Sequence, residues 1–419
     1  MKKKLTNIKK HSAGGRYVVS GLIMTFASLI TGFIVLSWIN PEELGRWQSY
    51  TVFIGYVQLL ALGIPQGINR ELPYWLGKDR IDTALEKLKT AGAFVNKLVV
   101  ALYVVLTIVA IVLYTANAIE KEGLAMLMFA GSLAFFNIQR SFLGATYRTS
   151  KEFAKLTNIQ LAISALYMLL IPLIYVFDIW GYVAYQFVIN GVFVILFKIY
   201  RPYKIKYNFN KEDFIDLFKV GFPIFFWNYI GVISRSVPRL VLVIFGSPLL
   251  VGLFAPAANI NNAVLAIPKF LNRYLFPKMT FKFGQDGNKE NVFKTALQTV
   301  KYLFLVMLGV GLLLVFLLPY AIPMVFPKYK DGILAAQIMV FSGVFYSVNT
   351  VFHVALNSLK EFNFFKYLIS FRLLSLLICS YVFVTIYDDL LLGVSIAAAV
   401  TECINMFNYY VFLKKAKRN

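Results

Sequence analysis

Two arginines, Arg235 and Arg239, stand inside an apolar run that extends from about 218 to 245. Four residues apart, they fall one turn apart on a helix and share a face, and Asn228 joins that stripe seven residues earlier. An arginine near the centre of a membrane helix costs about 2.5–3.5 kcal/mol even on the lenient insertion scale, so two of them require water, an acid or a ligand. The forked donors of guanidinium suit phosphate oxygens, which makes a cationic wall for a pyrophosphate the functional expectation. The structural alternative is snorkelling to the outer headgroups. At ~1.5 Å per residue the turn at Gly246 is about 10 Å from Arg239, within reach, and about 16 Å from Arg235, which reaches it poorly.

Glu402 is the one acid deep in an apolar run, near the middle of 390–413, with Ser395, Asn405 and Tyr409 on roughly its face. A carboxylate there is either an ion-coupling group for a proton or sodium, or the counter-charge of Arg235 or Arg239, and the sequence leaves both open. Further cations sit at the ends of apolar runs, namely Arg16, Arg70, Arg140, Lys269 and Arg273. Most residues so placed anchor helix ends in anionic headgroups. Arg70 and Arg273 are candidates for a cationic collar, Lys269 lies beside them, and Arg140 has Asn137 and Gln139 nearby. His353 is expected to be packed or hydrogen-bonded. The sequence carries no Walker A motif, no paired carboxylate site and no metal-ligand cluster, so neither catalytic residues nor a cofactor nor a metal is expected. Cys379 and Cys403 fall inside apolar runs and imply no disulfide framework.

The elements that must position these residues follow from composition. Hydrophobic residues make up 59% of the 419, and charged residues only 15%, against ~25% in soluble domains; the mean hydropathy is +0.68. That excludes a soluble enzyme and a nucleic-acid-binding protein. Apolar windows of membrane-crossing length fall at roughly 17–39, 49–68, 96–115, 124–143, 157–177, 181–199, 218–245, 249–271, 299–325, 333–357, 366–387 and 390–413. With the N-terminus inside, 36 of the 42 lysines and arginines fall on the inner side, only Arg46, Lys121, Lys328 and Lys330 outside, and Arg235 and Arg239 within a span. The positive-inside rule thus places both termini in the cytoplasm, and the net charge of +22 is mostly topology, with no nucleic-acid partner implied.

The two halves echo each other. Ile64-Pro65-Gln66-Gly67-Ile68-Asn69-Arg70-Glu71-Leu72 ends the second span, and Ile267-Pro268-Lys269-Phe270-Leu271-Asn272-Arg273-Tyr274-Leu275 ends the eighth. Pro41…Gly45 repeats as Pro248…Gly252, and Lys151-Glu152-Phe153 as Lys360-Glu361-Phe362. The expected architecture is an all-α integral membrane protein, with twelve transmembrane helices in two pseudo-symmetric six-helix bundles, residues 1–205 and 206–419, around a central cavity.

The Gly14-Gly15-Arg16 start, the Leu62–Pro73 stretch, Gly221-Phe222-Pro223 and the duplicated motifs resemble the multidrug/oligosaccharidyl-lipid/polysaccharide exporter superfamily, and within it the Wzx-type polysaccharide flippases. The resemblance covers essentially the whole chain. It implies alternating-access export of undecaprenyl-pyrophosphate-linked oligosaccharide (O-antigen or capsule repeat units) across the bacterial inner membrane. Membrane lipids, a polysaccharide polymerase and a chain-length regulator are the partners it implies. A drug/cation antiporter of the same superfamily is the nearest alternative, but span 17–39 has no acid and the span charges favour an anionic substrate. A lipid II flippase would have fourteen helices. A membrane polysaccharide polymerase would need long outer loops, and every outer loop here is short.

Overall fold

The computed structural model describes the backbone of residues 2–150, 152–359 and 361–418, and the side chains from 15 onward except 151, 269, 270, 273, 274, 277, 282, 286, 360, 362, 363, 365, 418 and 419. Fifteen α-helices are present among them. The first seven are α1 (Lys2–Trp38), α2 (Pro41–Gly55), α3 (Ile64–Gly77), α4 (Ile81–Thr115), α5 (Lys121–Thr149), α6 (Phe153–Leu169) and α7 (Ile171–Ile199). Then follow α8 (Lys211–Phe245), α9 (Pro248–Leu253), α10 (Ala255–Val264), α11 (Ala266–Asp286), α12 (Lys289–Val325), α13 (Ile333–Ser358), α14 (Phe362–Ile386) and α15 (Leu390–Arg418). Helix is the form that satisfies every backbone polar group within one apolar segment, which is what hydrocarbon demands.

Nine helical segments among the described residues are long and apolar enough to cross a membrane, and the bent pair α2–α3 makes ten. Helix α5 and the 17-residue α6 supply the other two. Asn137, Gln139 and Arg140 lower the hydropathy of α5, and α6 is completed by Ile171–Phe177 before the chain breaks at Asp178, whose φ of 48° and ψ of −127° are not helical. The chain is therefore an all-α membrane protein with twelve spans, each falling on one of the expected apolar windows.

One span among the described residues is broken by a sharp bend. This second span breaks after a 3-10 turn (Tyr56–Ala61), where Leu62 (φ 51°) and Gly63 (φ 74°) are left-handed and Pro65 lacks an amide donor; the flanking pieces differ by 44°. The eighth keeps helical backbone through Phe254 (φ −76°, ψ −13°) and Leu265 (φ −71°, ψ −12°), the turns that separate α9, α10 and α11. Leu62 and Leu265 occupy equivalent places, just ahead of the duplicated Ile-Pro, yet only Leu62 is left-handed, so the bend belongs to the first copy alone.

By their internal contacts the residues form two compact units, 1–38 with 47–229, and 39–46 with 230–419. In the first, α5 packs against α3, α4 and α7, and α1 against α6 and α7. Glycine permits one close approach here: a Cβ on Gly63 would lie 2.6 Å from the Gly221 carbonyl. Lys87 of α4, almost fully buried, bonds Asp216 (2.9 Å) and Asp213 (3.6 Å) of α8. These contacts hold the first half of α8 in this unit. In the second, α13 is the hub, packed on α10, α11, α12 and α15. Ala335, Ala336, Ser342, Gly343 and Ser347 let neighbouring backbones approach it. By contrast, only 6% of the most apolar stretch of α4 is buried, leaving Val104, Ile108 and Val112 for lipid.

The duplicated Pro-x-x-x-Gly segments meet inside the second unit. A Cβ on Gly45 would strike the carbonyl of Pro248, and a Cβ on Gly252 would strike that of Pro41. Each segment offers its glycine to the other's proline carbonyl, the reciprocal geometry of a two-fold contact. Tyr329 seals the same region, donating to the Ile39 carbonyl at 3.1 Å. Gly45→Ala and Gly252→Ala are accordingly expected to destabilise by about 1–3 kcal/mol through overpacking. Gly309→Ala, in open space on α12, should be neutral or stabilising by up to ~1 kcal/mol. Thermal melting of the three variants in detergent checks the contrast.

Candidate intramembrane charge site

Three helices of the second unit converge on Glu402. Arg372 of α14 binds its Oε1 through Nε at 2.8 Å and also through Nη2. Asn349 of α13 donates Nδ2 to Oε2 at 2.9 Å and to the Glu402 backbone carbonyl at 3.1 Å. Glu402 is 4% exposed, and Ser395, Thr401, Asn405 and Tyr409 of α15 are buried with it. Such burial is tolerable for a carboxylate only when a cation and hydrogen bonds compensate it. The counter-charge is thus Arg372, and neither Arg235 nor Arg239.

Arg372 is the residue that counting loop charges misplaces. The positive-inside count of 36 includes it among the inner-side charges, whereas it lies well inside α14, flanked by Ile369, Phe371, Leu373 and Leu374. Its position inside the apolar window 366–387 is the signal that identifies it. The guanidinium also stacks on Tyr346, 5.0 Å from the ring centroid, and the Tyr346 hydroxyl accepts from Arg235 Nη1 at 3.3 Å. Nothing in the sequence pattern marks Tyr346 as the link between the two arginines.

Arg235 is exposed on α8 and has no carboxylate within salt-bridge distance among the described residues. Arg239 is half-buried one turn further along, and Asn228 is exposed in the part of α8 that belongs to the first unit. The three do not form one cluster of direct contacts. His353 is partly buried, its ring edge-on to Tyr409 at 6.4 Å. Three oxygens close to Glu402 in the chain or bonded to it, Asn349 Oδ1, Thr401 Oγ1 and Asn405 Oδ1, are buried without a hydrogen-bond donor among the described residues.

The first unit holds its own intramembrane cation. Arg140 lies inside α5, nine residues before its end, where Nη2 meets Asn137 Oδ1 at 2.6 Å and Nη1 meets Asn190 Oδ1 of α7 at 3.4 Å. The guanidinium sits over the Phe193 ring at 5.2 Å. No acid pairs with it among the described residues. Polar contacts run through neighbouring helices: Ser20 to Gln160 at 2.7 Å, Tyr185 to Thr31 at 2.9 Å and Gln186 to Tyr182 at 2.7 Å. Arg70 is exposed on α3, and its neighbour Asn69 accepts from Arg148 at 3.3 Å. The side chains of Lys269 and Arg273 lie outside the described residues, although their backbone belongs to α11. Chemically, the arrangement offers guanidinium donors and amide groups within apolar helices, with the deep carboxylate already engaged.

Residues 38–305 match the family described as polysaccharide biosynthesis protein. No curated protein sequence matches the chain. Among solved structures, an inward-facing multidrug resistance MATE family transporter of the MOP superfamily superposes with a TM-score of 0.77 at 17% identity, covering 97% of this chain and 99% of the other. An outward-facing MATE family transporter of that superfamily gives 0.64 at 17%, covering 96% and 95%. The lipid II flippase MurJ, inward closed, gives 0.73 at 14%, covering 95% and 87%. At these identities the likeness is one of fold, twelve helices in two bundles. The chain belongs to the polysaccharide biosynthesis protein family, and it is a multi-pass membrane protein with the fold of the MOP-superfamily transporters and flippases.

Proposed function

We propose that this protein flips undecaprenyl-pyrophosphate-linked oligosaccharide repeat units across the bacterial inner membrane by alternating access. The observation that carries the proposal is the charge balance inside the helices. Glu402 is consumed by Arg372, which leaves Arg235 against a phenol and Arg140 against two amides, cations with no acid to neutralise them among the described residues. A pyrophosphate in hydrocarbon is prohibitively costly without positive partners, and arginine supplies the matching donor geometry. Membership of a polysaccharide biosynthesis family supports a glycan cargo, and the flippase named among the structural neighbours acts on a lipid-linked one. In this scheme the polyprenyl tail stays in lipid while the head follows the guanidinium groups of Arg235, Arg239 and Arg140 and the amide of Asn228, with Arg70, Lys269 and Arg273 assigned to the cytoplasmic entrance. Both termini are cytoplasmic, the duplicated halves 1–205 and 206–419 rock against each other, and the cargo is delivered to a polysaccharide polymerase and chain-length regulator.

The same geometry argues against an organic cation as substrate, which would meet these arginines as like charges. Coupling to a cation gradient has support beside Glu402, where three buried oxygens, Asn349 Oδ1, Thr401 Oγ1 and Asn405 Oδ1, have lone pairs that no described donor uses. Glu402 then serves two ends, holding Arg372 in place and biasing that pocket toward a proton or sodium ion.

Arg235→Ala is expected to lower surface polysaccharide about tenfold to a hundredfold in a complemented deletion strain, because one charge-assisted contact contributes about 1.5–3 kcal/mol. Arg235→Lys should restore part of it, and Arg239→Ala should be milder. Normal polysaccharide from a stable Arg235→Ala, Arg239→Ala double variant contradicts the proposal.

Glu402→Gln leaves Arg372 buried without its counter-charge and should cost about 3–5 kcal/mol, seen as a lower melting temperature in detergent. Adding Arg372→Met should recover most of that stability. If the recovered double variant still fails to export, Glu402 has a coupling role beyond structure; if it exports normally, the pair is structural and the coupling role is lost.

A further inference from the structure

A second cationic feature of the first unit takes no part in that scheme. Beyond the end of α7 the chain passes as a strap without helix, residues 201–210, along the first half of α4 and against α5. Between strap and helices lies a cavity of about 710 Å³, within the range of small-molecule sites. Lys198, Arg201, Lys204 and Lys206 line it, and Asn96 and Gln139 add amide groups. Phe142 and Leu143 of α5, with Val95 of α4, supply apolar lining. No acid lines the cavity, and none of the four cations makes a salt bridge among the described residues.

The strap is held in place. The Tyr207 ring lies so close to Gly92 of α4 that a Cβ there would collide with it. Its ring meets Phe142 edge-on at 6.0 Å, and Arg201 covers it at 5.7 Å. The Asn210 amide donates to Thr90 Oγ1 at 3.3 Å. Four like charges are therefore gathered on a fixed rim, an arrangement that raises the local potential and attracts an anion. Apolar side chains share the same lining. Hence the complementary ligand has a compact anionic head and a hydrocarbon portion.

We infer that this cavity binds the phosphate ester head of an amphiphile, with Arg201, Lys204 and Lys206 as the phosphate-binding cations and Phe142 and Leu143 against its first carbons. On the positive-inside topology it sits at the cytoplasmic headgroup level, since α4 continues some 22 Å beyond Asn96 toward Ile81 at ~1.5 Å per residue. Two sources share the required chemistry, a resident anionic phospholipid and the diphosphate head of a lipid-linked sugar.

The test uses the full-length protein purified in a neutral detergent, with calorimetric titration of dihexanoyl phosphatidylglycerol, dihexanoyl phosphatidylcholine and inorganic pyrophosphate. Saturable binding of the phosphatidylglycerol is expected, at least about tenfold tighter than the phosphatidylcholine and weakened by salt. The Arg201→Gln, Lys204→Gln, Lys206→Gln variant should lose it by about tenfold or more. Should that variant melt abnormally, Lys204→Gln and Lys206→Gln alone, both at exposed positions, should each weaken it several-fold. Displacement by pyrophosphate at comparable concentration assigns the site to a diphosphate head; persistence of the lipid against pyrophosphate assigns it to a phospholipid; either upholds a phosphate-ester site. Equal binding of the two lipids, or unchanged binding in the variants, overturns it. Arg235→Ala, Arg239→Ala should bind the probe normally, so loss of transport and loss of this site are separable.

Discussion

A charge cannot be left uncompensated in hydrocarbon, and the arrangement of this protein's interior follows from how that constraint is met. The Arg372–Glu402 pair is its centre. Two groups, each costly to bury alone, lie on adjacent helices and are joined by Asn349 from a third. The pair fixes α13, α14 and α15 relative to one another in a region where apolar packing gives little directional preference, because lipid is as apolar as the side chains. It also decides the sign of what remains. With the deep carboxylate consumed, the arginines at 140 and 235 are held by amides and a phenol, which solvate a cation without neutralising it.

Small residues do the complementary work. The Gly45–Pro248 and Gly252–Pro41 approaches bring backbones together at van der Waals limits, and the left-handed pair Leu62–Gly63 interrupts the second span. A broken helix exposes backbone groups that must find other partners, a cost that membrane proteins bear where a segment has to bend or line a polar region.

Much of this was legible in the sequence. The twelve windows were visible because a membrane span is a long, simple pattern, and the duplication because Ile-Pro and Asn-Arg recur in register. Burial of the Ser395–Glu402–Asn405–Tyr409 stripe followed from helical spacing. What the sequence hid was pairing. Arg372 and Glu402 are 30 residues apart across a helical hairpin, and no periodicity reports which cation meets which acid. Arg372 was further disguised because a basic residue near the start of a span resembles a headgroup anchor. The helix break within the second window was also invisible to hydropathy, which averages over the two residues, Leu62 and Gly63, whose backbone departs from helix. The strap at 201–210 looked like an ordinary basic connection, since its fixed course depends on a glycine and an aromatic ring distant in sequence.

The central claim is that the uncompensated cations of the spans select an anionic, lipid-linked glycan. Reconstituted in liposomes, the protein can be offered a polyprenyl-pyrophosphate-linked oligosaccharide and an organic cation side by side, with transbilayer movement of each followed by access of a lectin or a membrane-impermeant quencher. The predicted result is movement of the pyrophosphate-linked glycan, lost in the Arg235→Ala protein, and none of the cation above protein-free liposomes. Movement of the organic cation with the glycan left in place would contradict it.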